Sequence, residues 1–305
     1  MRGTRFIAVA ALAAGGLLVA GLPASAADRD GFGHRGATVQ ELARGWHPGH
    51  GPKPPTAGEP TTVAEHLAGP LTFDVDGRGT LYVGQAFAGN LVRVVPGQPP
   101  EEIAPSSGTD IAAVSTFMGA VTWSHRRAAE GDIGEAEESF LQRRGRDGVV
   151  TSVDLLAFER AANPDGAVEY SFTDLDPACA ALVPPELAPY TGAVDSHAYG
   201  SLMLPGVTYV ADAGANALLK VDRSGQVSTV AVLPPVPVEV TAEIAGAIGL
   251  PACVVGHEYN LEPVPTDVEL GHDGWLYVST LPGGPEDGSL GPIGSVYKVN
   301  PWTGR

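Results

Sequence analysis

The sequence is poor in cysteine, in aromatic side chains and in positive charge, and each shortage excludes something. Its two cysteines, Cys179 and Cys253, have no Cys or His neighbours at metal-binding spacing, which argues against a zinc-type centre. Aromatic residues make up 7% of the chain. Lys and Arg number 18 against 35 Asp and Glu, a formal net charge of −17. Phosphate backbones need clustered Lys and Arg, so nucleic acid is excluded as a partner, and anionic membrane surfaces are disfavoured for the same reason. Beyond the first 22 residues no apolar run is long enough to span a bilayer, so no membrane insertion is expected after signal cleavage. The chain also lacks a Gly-x-Ser-x-Gly elbow, an HExxH pair and a phosphate-binding loop. Asp76-Gly77-Arg78-Gly79 does not have the ligand spacing of an EF-hand.

The first 26 residues are organised for export. Arg2 and Arg5 precede an apolar run from Phe6 to Leu22, and Pro23-Ala24-Ser25-Ala26 supplies small residues ahead of Ala27. That order is a signal peptide cut between Ala26 and Ala27, and it places the mature protein outside the cell. Residues 27–60 follow as a flexible Pro/Gly/His-rich lead, with His34, His47 and His50 in solvated sequence. Outside the cell an isolated cysteine pair can close a disulfide, so Cys179 and Cys253 form either one bridge or two buried thiols.

The whole sequence holds 40 Gly and 27 Pro, too many breakers for long helices, and from residue 61 repeats emerge. Leu71 to Gly84 and Thr266 to Ser279 are two copies of an alternating strand, a glycine turn and a β-rich strand. Tyr199 to Asp212 is a third copy, with Pro205-Gly206 at its turn. Each copy continues through a polar turn into a strand with a basic residue: Arg93, Lys220 and Lys298. A fourth strand follows at Glu102-Ile103-Ala104 and at Gln226 to Val230. Four short strands per ~40–50 residues is a propeller blade. A further, irregular blade is built from Ile111 to Trp123, Ser139 to Arg143 and Val149 to Val153, with a helical insertion about 126–146. The fold class is therefore all-β, a β-propeller over 61–305 with four units visible, either a small ring or an incomplete six-bladed one. Thr61 to Leu67 resembles the strand missing from the last unit and is expected to close the ring.

Three segments together resemble the ScyD/ScyE family of exported bacterial propeller proteins: Asp154 to Gly166, Tyr209 to Leu219, and Pro265 to Val268. The resemblance runs from about Thr61 to Gly304 and implies a propeller of the six-bladed TolB-like/NHL-like class, without an established reaction.

In a propeller the inner strands line a central channel, whose mouth is the default ligand site. Thr72 with Asp74, Asp195 with His197, and Thr266 with Asp267 are the candidate lining residues. Asp195 and Asp267 are the candidate metal ligands, and Ca²⁺ is the ion such carboxylates would hold. Against this, Asp residues at strand starts often do no more than brace backbone amides, and two or three ligands fall short of the six to eight Ca²⁺ takes. Asp212, Asn216, Asn163 and Asp165 read as turn and cap residues, and Glu159 as solvent-exposed. The expected function is a secreted, non-catalytic binding scaffold for a small molecule or an extracellular partner. The alternative is a Ca²⁺-dependent lactonase or other hydrolase acting at the channel mouth.

Overall fold

The computed structural model describes residues 58–105, 109–128, 136–285 and 288–305. The signal peptide, its cleavage site and the lead up to residue 57 lie outside the described residues.

Four antiparallel blades follow one another. The first is β1 (Pro70–Val75), β2 (Leu81–Gln85), β3 (Asn90–Val94) and β4 (Glu101–Ala104), paired in that order. The second is β5 (Asp110–Phe117), β6 (Ala120–Ala128), β7 (Ala136–Arg144) and β8 (Val150–Asp154). Helix α1 (Leu155–Ala162), β9 (Glu169–Tyr170), the short α2 (Pro177–Ala180) and β10 (Tyr190–Thr191) form an excursion before the third blade. That blade is β11 (Ala198–Leu204), β12 (Val207–Asp212), β13 (Ala217–Asp222) and β14 (Val227–Val232). A second excursion holds β15 (Val236–Glu239), α3 (Ala242–Ile248) and β16 (Glu258–Leu261). The last blade is β17 (Pro265–Leu270), β18 (Leu276–Thr280) and β19 (Val296–Val299). The inner strands stand side by side: β1 packs on β5, β5 on β11, and β11 on β17. The chain is a β-propeller.

The turns explain why these hairpins close where they do. Asp76, Asp147, Asp222 and Asp273 each accept a hydrogen bond from the backbone N–H two residues on, at 2.8–3.2 Å. This Asx turn substitutes a side chain for a backbone turn and fixes the reversal locally. In the first hairpin the positive φ falls on Gly79 (φ 80), not on the Gly77 of the Asp-Gly pair. Between blades the glue is apolar. Leu141, Leu155, Val210 and Leu219 lie buried between the second and third blades, and Leu218, Val268, Leu276 and Val278 between the third and last. Each such side chain, fully buried, stabilises by roughly 2 kcal/mol.

Two expectations are corrected. The described part of 126–146 is strand where a helical insertion is expected: Arg126 to Ala128 end β6, and Ala136 to Arg144 form β7. Residues 129–135 lie outside the described residues. The mixed charges that look helical in sequence pair across strands instead, with Arg127 bonded to Glu137 and to Glu138, its register neighbour. Residues 61–67 form no strand and do not complete the last blade, whose sheet is three-stranded. Ala64 and Leu67, partly buried, pack instead on Val83, Val92 and Val94 of the first blade, which removes apolar surface from water.

Cys179 and Cys253 are joined in a disulfide. The bridge ties α2 of the first excursion to the second, across a core of Phe172, Val240, Ala245 and Val254. Among the described residues no helix is long and apolar enough to cross a membrane.

Candidate functional site

Antiparallel pairing fixes which residues meet at which end of the blades. Ala198 pairs with Asp212, and Asp212 with Ala217, so the segment entering β11 lies beside the β12–β13 turn. Asp110 pairs with Arg126 in the same sense on the neighbouring blade. The candidates Asp195 and His197 lie at this end, just ahead of β11.

Residues 195–198 are sewn onto the second blade. Arg126 donates to Asp195 at 3.4 and 3.5 Å and, through Nε, to the Ser196 carbonyl at 3.2 Å. The Ala136 N–H also donates to Asp195, at 2.9 Å, and Ser124 donates to the Ala198 carbonyl at 2.7 Å. The His197 Nε2 meets the Asp110 carboxylate at 2.9 Å. One ion pair, Arg126–Asp195, and one imidazole–carboxylate hydrogen bond, His197–Asp110, thus bridge the second and third blades. Ser196 and His197 do not pair: the Ser196 hydroxyl donates to Asp212 at 2.7 Å and lies 2.8 Å from the Ser139 hydroxyl.

The four titratable residues among the candidate lining set separate into two groups. Asp195 and His197 sit together where the chain enters β11. Asp74 is one register pair from the β1–β2 turn, at the opposite end, where it accepts from the Thr116 N–H (2.6 Å) and hydroxyl (2.9 Å). Asp267 lies on β17 against Gly200 of β11, where a Cβ would come within 2.6 Å of the Asp267 Cα. Burial, and then the charge of Asp74, raise the Asp267 carboxyl above its usual range. Asp195 and Asp267 therefore do not share a site, and Asp195 already holds an arginine and a backbone amide. Among the described residues no group of three or more His, Cys, Asp or Glu side chains is arranged to hold a metal ion.

What sequence reasoning missed lies beside these residues, in the interior. Glu159, read as solvent-exposed, is 1% exposed, and Asp165, read as a local cap, is 0% exposed. Helix α1 places Glu159 through its capping: Asp154 accepts from the Ala157 N–H at 2.8 Å, and Asn163 ends the helix in the left-handed region (φ 35). Leu155 and Glu159 are four residues apart, so the helix turns them to the same inner face. Asp165 accepts from Tyr170 (3.0 Å) and from the Asn216 amide (2.9 Å), both on Oδ2. Asn216 also donates to Glu262 at 3.3 Å, and Tyr190 donates to the other Glu262 oxygen at 2.9 Å. Asp212 is enclosed by donors: Ser196 Oγ and the N–H groups of His197, Gly214 and Ala215. The turn roles read for Asp212 and Asn216 thus hold, with Asn216 in the left-handed region (φ 48).

Five carboxyl groups, Glu159, Asp165, Asp195, Asp212 and Glu262, therefore gather between α1, the β12–β13 turn and the segments entering β11 and β17. Burial pushes the Glu159 carboxyl up to about 8, and the charges of Asp212, Asp165 and Asp195 add to it. Burial likewise raises Asp165, Asp212 and Glu262, while their hydrogen-bond donors pull each partway back.

No family model and no curated protein matches the chain. Among solved structures it is similar to a virginiamycin B lyase from Staphylococcus aureus (13% identity, TM-score 0.40, covering 76% of this chain and 56% of that one). It is also similar to a putative gluconolactonase (14% identity, TM-score 0.38, covering 75% of this chain and 64% of that one). A protein from Lactobacillus plantarum is similar at 15% identity and TM-score 0.35, covering 79% of this chain and 72% of that one. The chain thus spans less than two thirds of the length of the first two.

Proposed function

We propose that the protein is an exported, non-catalytic binding scaffold of the ScyD/ScyE type, with its ligand site at the mouth around Asp110, His197, Arg126 and Asp195. The observation that carries this reading is the pairing of those side chains. The imidazole is held by Asp110 and not by Ser196, and Ser196 is held by Asp212. A nucleophile needs a base within hydrogen-bond reach, and here the nearest hydroxyl and imidazole are committed elsewhere. Polar pairs that bridge two blades are instead suited to orienting a small polar ligand. Export rests on the signal-peptide pattern, and the disulfide between Cys179 and Cys253 suits an oxidising compartment. The family assignment rests on the three sequence segments that resemble it.

The test is a thermal-shift screen of small polar metabolites and lactones on the purified protein, with lactone hydrolysis followed in the same samples. A binder should raise the melting temperature of the native protein by mass action and should lose that effect in His197→Ala. Lactone turnover above the buffer rate that disappears in His197→Ala, or that requires Ca²⁺, would overturn the non-catalytic reading in favour of the hydrolase.

A further inference from the structure

The five interior carboxyl groups are not equally provided for. Asp212 receives four donors, Asp165 and Glu262 receive two each, and Asp195 has Arg126 and the Ala136 N–H. Glu159 is the least provided for: neither buried carboxylate oxygen has a partner within hydrogen-bond geometry, and the Asp195 backbone amide is the one donor that favours its charged form. Asp165 Oδ1 is also buried and without a partner. An ionised carboxylate so placed, facing three others, would lack both solvation and a counter-charge. A carboxylic acid there would carry no charge and would itself supply a donor.

We propose that Glu159 is a proton-holding clamp. In its acid form it lets α1 and the segment from Asn163 to Thr191 dock on the β12–β13 turn, and loss of its proton to solvent releases that segment from the turn. The interface is built for such a response. Asp165 of the segment reaches Asn216 of the turn, and Tyr190 of the segment reaches Glu262. Ionising Glu159 adds a negative charge among Asp165, Asp212 and Asp195, which lie on both sides of that joint. The surrounding elements offer little to offset it. Arg126 of β6 already engages Asp195, and Arg127 is drawn outward by Glu137 and Glu138 of β7. His197 faces Asp110, and the phenols of Tyr170 and Tyr190 are neutral donors to Asp165 and Glu262. Tyr170 titrates only far above neutrality, because burial and then Asp165 raise it.

The sign follows from proton uptake. Between the ordinary carboxyl range and about pH 8 the folded chain holds one proton more at Glu159 than the unfolded chain. The stability it contributes is complete below that window and is lost as pH rises through it, roughly tenfold in the folding constant per pH unit for one proton.

The experiment combines urea unfolding with limited proteolysis from pH 5 to pH 9, on the native protein and on Glu159→Gln, which keeps the shape and cannot ionise. The native protein should lose stability with rising pH and become cleavable between Asn163 and Thr191 above pH 8. Glu159→Gln should show a pH slope shallower by one proton and stay protected at pH 9. Equal slopes, or equal cleavage in both proteins, would overturn the proposal. So would restoration of protection at pH 9 by millimolar Ca²⁺ in the native protein alone, because the site would then be taking a metal ion. Infrared spectra of the native protein provide a reading that does not depend on the variant folding. A protonated-carboxyl band present near pH 6.5 and lost by pH 9 is expected, and its absence at pH 6.5 refutes the clamp.

Discussion

The amide of Asn216 donates to Asp165 at 2.9 Å, so one side chain of the β12–β13 turn holds the segment that follows α1, 51 residues earlier in the chain. The same amide reaches Glu262, and the Asn216 carbonyl oxygen accepts from the Val264 N–H at 3.1 Å. Two separated stretches, at Asp165 and at Glu262 to Val264, therefore meet on a single residue of a third.

Asn216→Ala should destabilise the fold by about 3 kcal/mol, because it leaves buried acceptors and a buried N–H without their partner. Asn216→Asp should cost more, since it replaces a donor with another carboxylate in an acidic interior. Urea unfolding at pH 7 measures both, and Asn216→Asp should recover part of its deficit as the pH is lowered towards 5.

Arg126→Met should cost about 3–5 kcal/mol in the same assay, because it leaves the buried Asp195 carboxylate without its cation. The double variant Arg126→Met/Asp195→Asn should recover much of that loss. A double-mutant cycle with no coupling between the two would show that the pair is not acting as one unit.

Gly192→Ala should be among the most damaging small substitutions in the chain, since a Cβ at that position would overlap the Asp165 carboxylate. A loss of about 3 kcal/mol is expected from the forced shift, read as a lowered unfolding midpoint. Gly246→Ala, which has open space at that position, should be tolerated.

Replacing Cys179 and Cys253 with Ser should cost about 4 kcal/mol on the chain-entropy estimate for a link across 74 residues. The melting temperature of the native protein should fall correspondingly in reductant, and that of the double-serine variant should not respond.

The Asp273–Lys298 pair gives the acid side of the pH profile. The hydrogen bond from Lys298 holds Asp273 down to about 2, and both side chains lie at the surface. Its contribution is present above the ordinary aspartate range and disappears as pH falls through about 2. Asp273→Asn should therefore reduce the difference in stability between pH 5 and pH 2, and 1 M salt should mimic the substitution by screening.

The sequence by itself determined the blades. Period-two strands closed by Asp-led turns are local features, because the Asx turn at Asp76, Asp147, Asp222 or Asp273 is made by neighbours two residues apart. The cysteine bridge was one of two readings that composition allowed. The run after Arg126 was misread because alternating charges satisfy both a helix face and a cross-strand ladder, and only the partner strand decides between them. The site was least legible. Asp195 and His197 were found because they precede an inner strand, yet their neighbours Arg126 and Asp110 come from another blade. Glu159 left one local signal, its place four residues after the buried Leu155 on a short capped helix. That it meets Asp165, Asp195 and Asp212 in a dry interior is a property of the tertiary structure alone. Carboxyl groups spread over more than a hundred residues of chain repel one another in water. Only the packing of blades and excursions brings Glu159 through Glu262 together, and the surrounding donors then decide which of them can remain charged.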